Sequence, residues 1–278
     1  MRLRIDLGYD GTDFRGWATQ PGLRTVQEEF EGALATVLRA DGRLPVVVAG
    51  RTDAGVHARS QVLHVDVDES AVAASAGRSG HDPVANLTRR LNGILPPDVR
   101  VHRTRVAPEG FDARFSAVWR RYAYRIADRP ELVDPLTRRT VLAWAHPVDE
   151  GLMNEAAATL LGRQDFATFC KRREGATTIR TLLDLHWARR PDTGVLEGTI
   201  RADAFCHNMV RALVGCLIAI GDGRRPVSWA HEVMVAGVKH PAVQVLHGRG
   251  LVLEEVAYPD DAELAARAEA TRKVRTLD

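Results

Sequence analysis

The segment Gly50-Arg51-Thr52-Asp53-Ala54-Gly55-Val56-His57 sets one carboxylate between a guanidinium and an imidazole, with glycines toward both ends. A carboxylate in a Gly-bounded loop is placed to act as nucleophile or base, because the backbone can turn sharply there and present side chains that a sheet would bury. Taken alone, the same residues also read as an Asx-turn beside an exposed arginine. The segment lacks the lysine of a phosphate-binding P-loop. Neither His57 nor His64 has a cysteine partner at zinc-finger spacing. Cys170, Cys206 and Cys216 form no CxxC pair, so neither a structural metal site nor a disulfide framework is expected. A second chemical oddity is Arg211, in a stretch otherwise made of Met209, Val210, Leu213, Val214 and Leu217. If buried, a guanidinium in such company needs a carboxylate partner.

The loop needs elements on either side to hold it. Residues 3–9 alternate, with Leu3, Ile5, Leu7 and Tyr9 on one face and Arg4, Asp6 and Gly8 on the other, which predicts a half-buried strand ending in an Asp10-Gly11 turn. Thr25-Val26-Gln27-Glu28 is a capping-box pattern opening a helix with the stripe Val26, Phe30, Ala33, Leu34 and Val37. Short strands are expected over 45–49 and 61–67, a mobile Gly/Ala/Ser-rich loop over 71–82, a helix over 83–93 and a strand over 99–106. Further on, a strand over 117–127 places Val118, Arg120, Tyr122, Tyr124 and Ile126 on one face. A helix over 149–161, strands over 179–189 and 194–203, helices over 205–220 and 228–238, and a strand over 251–258 complete the pattern. The tail from Asp260 reads as a frayed helix or disorder. The alphabet is α+β: two lobes with largely antiparallel sheets flanked by helices, divided as 1–110 and 111–258, with 259–278 as tail.

The chain of 278 residues is long enough for two cores, and its 45% hydrophobic and 27% charged composition is that of a globular protein. The first ten residues have no signal-peptide h-region, and the most apolar run, 212–220, is too short to span a bilayer, so a cytoplasmic protein is expected. Net charge is only +2. Basic residues are clustered, however: Arg100, Arg103, Arg105, Arg114, Arg120, Arg121, Arg125 and Arg129 face only Glu109, Asp112 and Asp128 in the same interval, and Lys171-Arg172-Arg173 forms a second group. Two basic patches on a nearly neutral chain suggest a localised polyanion footprint. Only Lys171, Lys239 and Lys273 among the 38 basic residues are lysines, and Arg is the better fork for phosphate.

Six segments, YDGTDFRGW, TVQEEFEGAL, GRTDAGVHA, FDARFSAVWRRYAYRI, AFCHNMVRALVG and GRGLVLEEVAYP, occur in an order that resembles the TruA family of tRNA pseudouridine synthases. The resemblance covers residues 3–258. It implies an RRM-like pseudouridine synthase fold and a cofactor-free isomerisation of uridine at positions 38, 39 and 40 of the anticodon stem and loop, carried out by a homodimer. By the resemblance, Asp53 is the nucleophile, Arg51 fills the space left by the flipped base, Tyr122 packs on the uracil ring and Arg211 pairs with the nucleophile. Phe111, Asp112, Ala113, Arg114 and Phe115 fall where the family contacts tRNA, Arg114 being the candidate phosphate ligand. RNA contacts from Lys171, Arg172 and Arg173 follow from charge alone.

Two other readings compete. Ile5-Asp6-Leu7-Gly8 is similar to the first phosphate loop of actin-like ATPases, whose further Gly-rich and acidic motifs do not follow in order. A non-catalytic RNA-binding protein with two RRM-like lobes would carry a run of stacking aromatics on its sheets, and no such run stands out.

Overall fold

The computed structural model describes the whole chain except residues 77–79, 81, 172–174, 176, 274–276 and 278. The elements begin with β1 (Arg2–Tyr9), α1 (Val26–Leu38), β2 (Val47–Val48), β3 (His57–Asp66), α2 (Glu69–Ser75), α3 (Pro83–Asn92) and β4 (Val99–Val106). They continue with β5 (Trp119–Ala127), β6 (Leu142–Ala143), α4 (Glu150–Ala158), β7 (Gly162–Asp165), β8 (Ile179–Arg189) and β9 (Leu196–Ala202). Last come α5 (Met209–Gly221), α6 (Trp229–Val235), β10 (Leu251–Ala257) and α7 (Leu264–Arg272). The chain forms two compact units, one of Met1–Val118 with Leu253–Lys273 and one built on Trp119–Val252. Both are α+β; β1–β3, β1–β4, β2–β3, β5–β9, β7–β8 and β8–β9 pair antiparallel, and β5–β6 pair parallel.

In the first unit β1 lies between β4 and β3, with β2 and β10 also beside β3. The alternation of β1 is realised: Leu3, Ile5 and Leu7 are fully buried. Thr25 caps α1 by accepting from the Glu28 N–H at 3.4 Å, and Val26, Phe30, Ala33, Leu34 and Val37 are all buried. Pro83 stands in the first turn of α3, where its missing N–H costs nothing, and Asp82 accepts from the Ala85 N–H at 2.8 Å. The expected loop over 71–82 is corrected: residues up to Ser75 belong to α2, capped by Asp68 and held by buried Val72 and Ser75. Alanine is the best helix former, so an Ala-rich interval was misread through its Gly and Ser. Part of that interval lies outside the described residues. In the tail, expected as a frayed helix or disorder, α7 runs to Arg272 with Leu264 and Ala268 buried, and the Leu264 carbonyl accepts from Ser116 Oγ at 3.0 Å.

In the second unit the order is β5-β9-β8-β7, with β6 beside β5. Tyr122 pairs with Ile200 and Tyr124 with Gly198 across β5 and β9. Apart from Arg211, every residue of α5 is buried, as befits a helix apolar all round. It starts at Met209 rather than at 205. Asn208 sits at φ 71° in the left-handed region, which an upstream helix cannot continue through. His207 therefore precedes the helix. Cys206 in that turn is joined to Cys170 in a disulfide with Cα atoms 5.7 Å apart, a pairing across 36 residues that local spacing does not reveal. Cys216 is a buried free thiol whose pKa burial pushes up to about 12.

Candidate active site

The loop Gly50–Val56 leads directly into β3, and His57 is already the first strand residue. Through residues 51–53 exposure alternates: Arg51 is exposed, Thr52 buried and Asp53 half-buried. Arg51 is thus open to solvent and Asp53 partly so, while Thr52 is buried between them.

The segment Asp10–Trp17 packs directly beneath this loop. The Trp17 N–H donates to the Thr52 carbonyl at 3.0 Å and the Gly55 N–H to the Phe14 carbonyl at 3.3 Å. Gly16, at φ +98°, lies so close that a Cβ there would meet the Thr52 oxygen at 2.9 Å, and one on Gly11 would overlap the Val56 carbonyl. The glycines of YDGTDFRGW are thus the space into which GRTDAGVHA fits. His57 Nδ1 lies 3.0 Å from the Gly11 N–H, which donates to it. Asp10 Oδ1 is 3.1 Å from the same nitrogen.

Two further residues missed by sequence reasoning hold the loop from below. Tyr9 Oη lies 2.8 Å from Thr52 Oγ1, and Gln61 Nε2 reaches Tyr9 Oη at 3.2 Å and the Gly50 carbonyl at 2.9 Å. Tyr9 had been read only as an inward strand residue. The available signal was that its strand ends at the glycine-rich segment, but nothing in the sequence pairs it with Thr52.

The segment 111–115 is also in the first unit. Phe111 and Ala113 are buried, and the Ala113 N–H donates to His64 Nδ1 at 2.9 Å. Asp112 accepts from the N–H groups of Arg114 and Phe115, each at 2.9 Å, and pairs with Arg272 at 3.2 Å. Arg114 is the exposed member of the five and stacks over the Phe115 ring at 5.0 Å.

In the second unit Tyr122 is 7% exposed, its ring edge-on to Phe205 at 5.1 Å. Tyr124 is a core residue with its hydroxyl donated to the His247 carbonyl at 2.8 Å, and burial raises its pKa. Half-buried Arg211 donates from Nη1 to the Leu246 carbonyl at 3.1 Å and from Nη2 to Asn208 Oδ1 at 2.6 Å. One turn on, a Cβ at Gly215 would overlap the Gln244 carbonyl, so that face of α5 lies tight against residues 244–246. Lys171 is exposed, its backbone N–H bonded to the His207 carbonyl at 2.9 Å, while Arg172 and Arg173 lie outside the described residues. Among the described residues no cluster of three His, Cys, Asp or Glu side chains could hold a metal, and no helix is long and apolar enough to cross a membrane.

Comparison with known proteins adds an independent line. The family model described as tRNA pseudouridine synthase matches residues 156–259, a span that includes Arg211 but neither Asp53 nor Tyr122. Whole-chain relatives cover those too. The chain is 58% identical to tRNA pseudouridine synthase A of Streptomyces griseus, over 100% of this chain and 95% of the relative. It is 54% identical to tRNA pseudouridine synthase A of Frankia casuarinae, over 99% and 96% of the two chains. Against tRNA pseudouridine synthase A of Mycobacterium leprae the identity is 47%, again over 99% and 96%.

Proposed function

Because the chain belongs to the tRNA pseudouridine synthase A family, an isomerase family, we propose that it converts uridine to pseudouridine at positions 38, 39 and 40 of the tRNA anticodon stem and loop, with Asp53 as nucleophile. The observation that carries the reading is the burial pattern at 51–53, which leaves Arg51 exposed and Asp53 part-exposed on a loop anchored through buried Thr52.

The reaction breaks the N1–C1′ glycosidic bond and makes a C5–C1′ bond. N1 gains a proton and C5 loses one, so the atoms balance without an oxidant or a second substrate. Duplex RNA hides the reacting base, so the uridine must leave its stack first. Arg51, exposed beside Asp53, fills the gap. The Asp53 carboxylate bonds covalently to the nucleoside, the base detaches and turns, and carbon replaces nitrogen at the sugar. Tyr122 packs on the uracil ring. Arg211 is assigned by the resemblance to pair with Asp53, an opposite charge that keeps a carboxylate ionised.

The exposed cations Arg114 and Lys171 supply phosphate contacts, with Arg172 and Arg173 added on charge alone, and the active species is a homodimer in the cytoplasm that binds tRNA. Incubating unmodified tRNA transcripts with the protein and mapping pseudouridine by sequencing tests this reading. New pseudouridine confined to 38–40 is expected. Bound but unmodified tRNA would instead support a non-catalytic RNA-binding protein.

A further inference from the structure

The reacting loop is fixed by a buried hydrogen-bond chain that starts at Gln61. Gln61 Oε1 accepts from the Val62 N–H at 3.2 Å, which turns the amide NH₂ the other way. That NH₂ donates to the Gly50 carbonyl at 2.9 Å and to Tyr9 Oη at 3.2 Å. The phenol in turn shares a hydrogen bond with Thr52 Oγ1, 2.8 Å away. Gln61, Tyr9 and Thr52 are 0%, 5% and 6% exposed, so water does not compete for these bonds.

One end of the chain grips the Gly50 backbone carbonyl and the other the Thr52 side-chain hydroxyl, on either side of Arg51 and immediately before Asp53. Neither grip uses the side chains of Arg51 and Asp53. We propose that Tyr9, Gln61 and Thr52 are positioning residues for the isomerisation, setting where Arg51 and Asp53 stand without themselves touching the nucleoside. The proposal rests on the reading of Asp53 as nucleophile. Its physical basis is that a reacting group displaced by about 1 Å can lose about 100-fold in rate. The phenol keeps its proton throughout, since burial pushes its pKa up to about 12.

Tyr9→Phe removes one oxygen and leaves the ring in place. Thr52→Val removes the hydroxyl at constant shape, whereas Thr52→Ser keeps it. The measurements are single-turnover rates of pseudouridine formation and KM for tRNA, at a temperature where circular dichroism shows each variant folded. Tyr9→Phe and Thr52→Val should each slow the reaction at least about 10-fold with KM within about twofold of wild type, and Thr52→Ser should restore most of the rate. The double variant Tyr9→Phe with Thr52→Val should be no slower than the slower single, because one chain is cut either way. Rates within about twofold of wild type for both single variants would overturn the positioning role, as would Thr52→Ser being as slow as Thr52→Val. A wild-type protein that leaves every uridine unchanged would overturn the reading of the reaction itself, a separate failure.

Discussion

Thr52 is buried and Arg51 exposed, and this single difference separates the residue that anchors the loop from those that act. Arg51 then has a task that can be measured apart from binding. Arg51→Ala removes an exposed side chain with no part in the core, so the fold should be kept. Turnover should fall about 100-fold, about 2.7 kcal/mol of barrier, while the dissociation constant for tRNA changes by no more than about threefold. Filter binding alongside single-turnover rates checks this; equal losses in affinity and rate would make Arg51 a phosphate anchor. The types and spacing at 50–57 were enough to pick out Arg51 and Asp53. Tyr9 was not legible in the same way, because its partner Thr52 is 43 residues away and a strand-end tyrosine facing inward looks like any core aromatic.

Two elements carry ionisable groups whose burial has consequences. At the end of β5, Asp128 has a side chain 0% exposed. Burial opposes its ionisation, but the Arg189 guanidinium, bonded to both oxygens at 2.9 and 2.7 Å, and the Val148 N–H at 2.8 Å outweigh it and hold the carboxyl below its usual range. Arg189 thereby ties β8 to the end of β5. Arg189→Met should strand that carboxylate and cost about 3–5 kcal/mol in urea unfolding, and Arg189→Met with Asp128→Leu should recover most of it. A single-variant loss under about 1 kcal/mol would contradict the account.

On β3, His64 is 4% exposed and accepts from the Ala113 N–H; burial, then the charge of Arg2, lowers its pKa. The unfolded chain takes up this proton near the ordinary value of about 6.5, where the folded chain resists it. Stability from this group is therefore complete above about pH 6.5 and is lost as pH falls below it toward the depressed folded value. Urea unfolding between pH 7.5 and 5.5 should show a shallower decline for His64→Gln, whose amide oxygen can still accept from Ala113. A wild-type and variant slope that coincide would contradict this. Periodicity marked the long strands β1, β4, β5, β8, β9 and β10 because burial dictates alternation, and it missed the short β6 and β7. It misplaced the start of α5, which the left-handed Asn208, two residues after Cys206 of the Cys170–Cys206 bond, sets at Met209.

At the scale of the molecule, the chain's two compact units place Asp53 in one and Tyr122 and Arg211 in the other. The α+β class and the antiparallel pairing followed from the alphabet of short alternating strands and capped helices. The folding of the C-terminal segment back into the first unit did not, because an Ala- and charge-rich helix shows little amphipathic signal before Leu264 and Ala268 find a surface to cover. The basic clusters also proved uneven. Arg120 is buried, with Nη1 donated to the Asp203 carbonyl at 2.8 Å, whereas Arg114 is exposed, so counting arginines along a strand overstates what a polyanion can reach. The central claim, that this protein isomerises tRNA uridines through a carboxylate on the 50–57 loop, is tested most directly by one comparison. Wild type and Asp53→Asn are incubated with the same unmodified tRNA, and pseudouridine at positions 38–40 is quantified while tRNA affinity is measured in parallel. The account predicts near-normal affinity and no pseudouridine from Asp53→Asn, because an amide cannot serve as the nucleophile. Turnover by that variant within about tenfold of wild type, a loss of only ~1.4 kcal/mol, would contradict it.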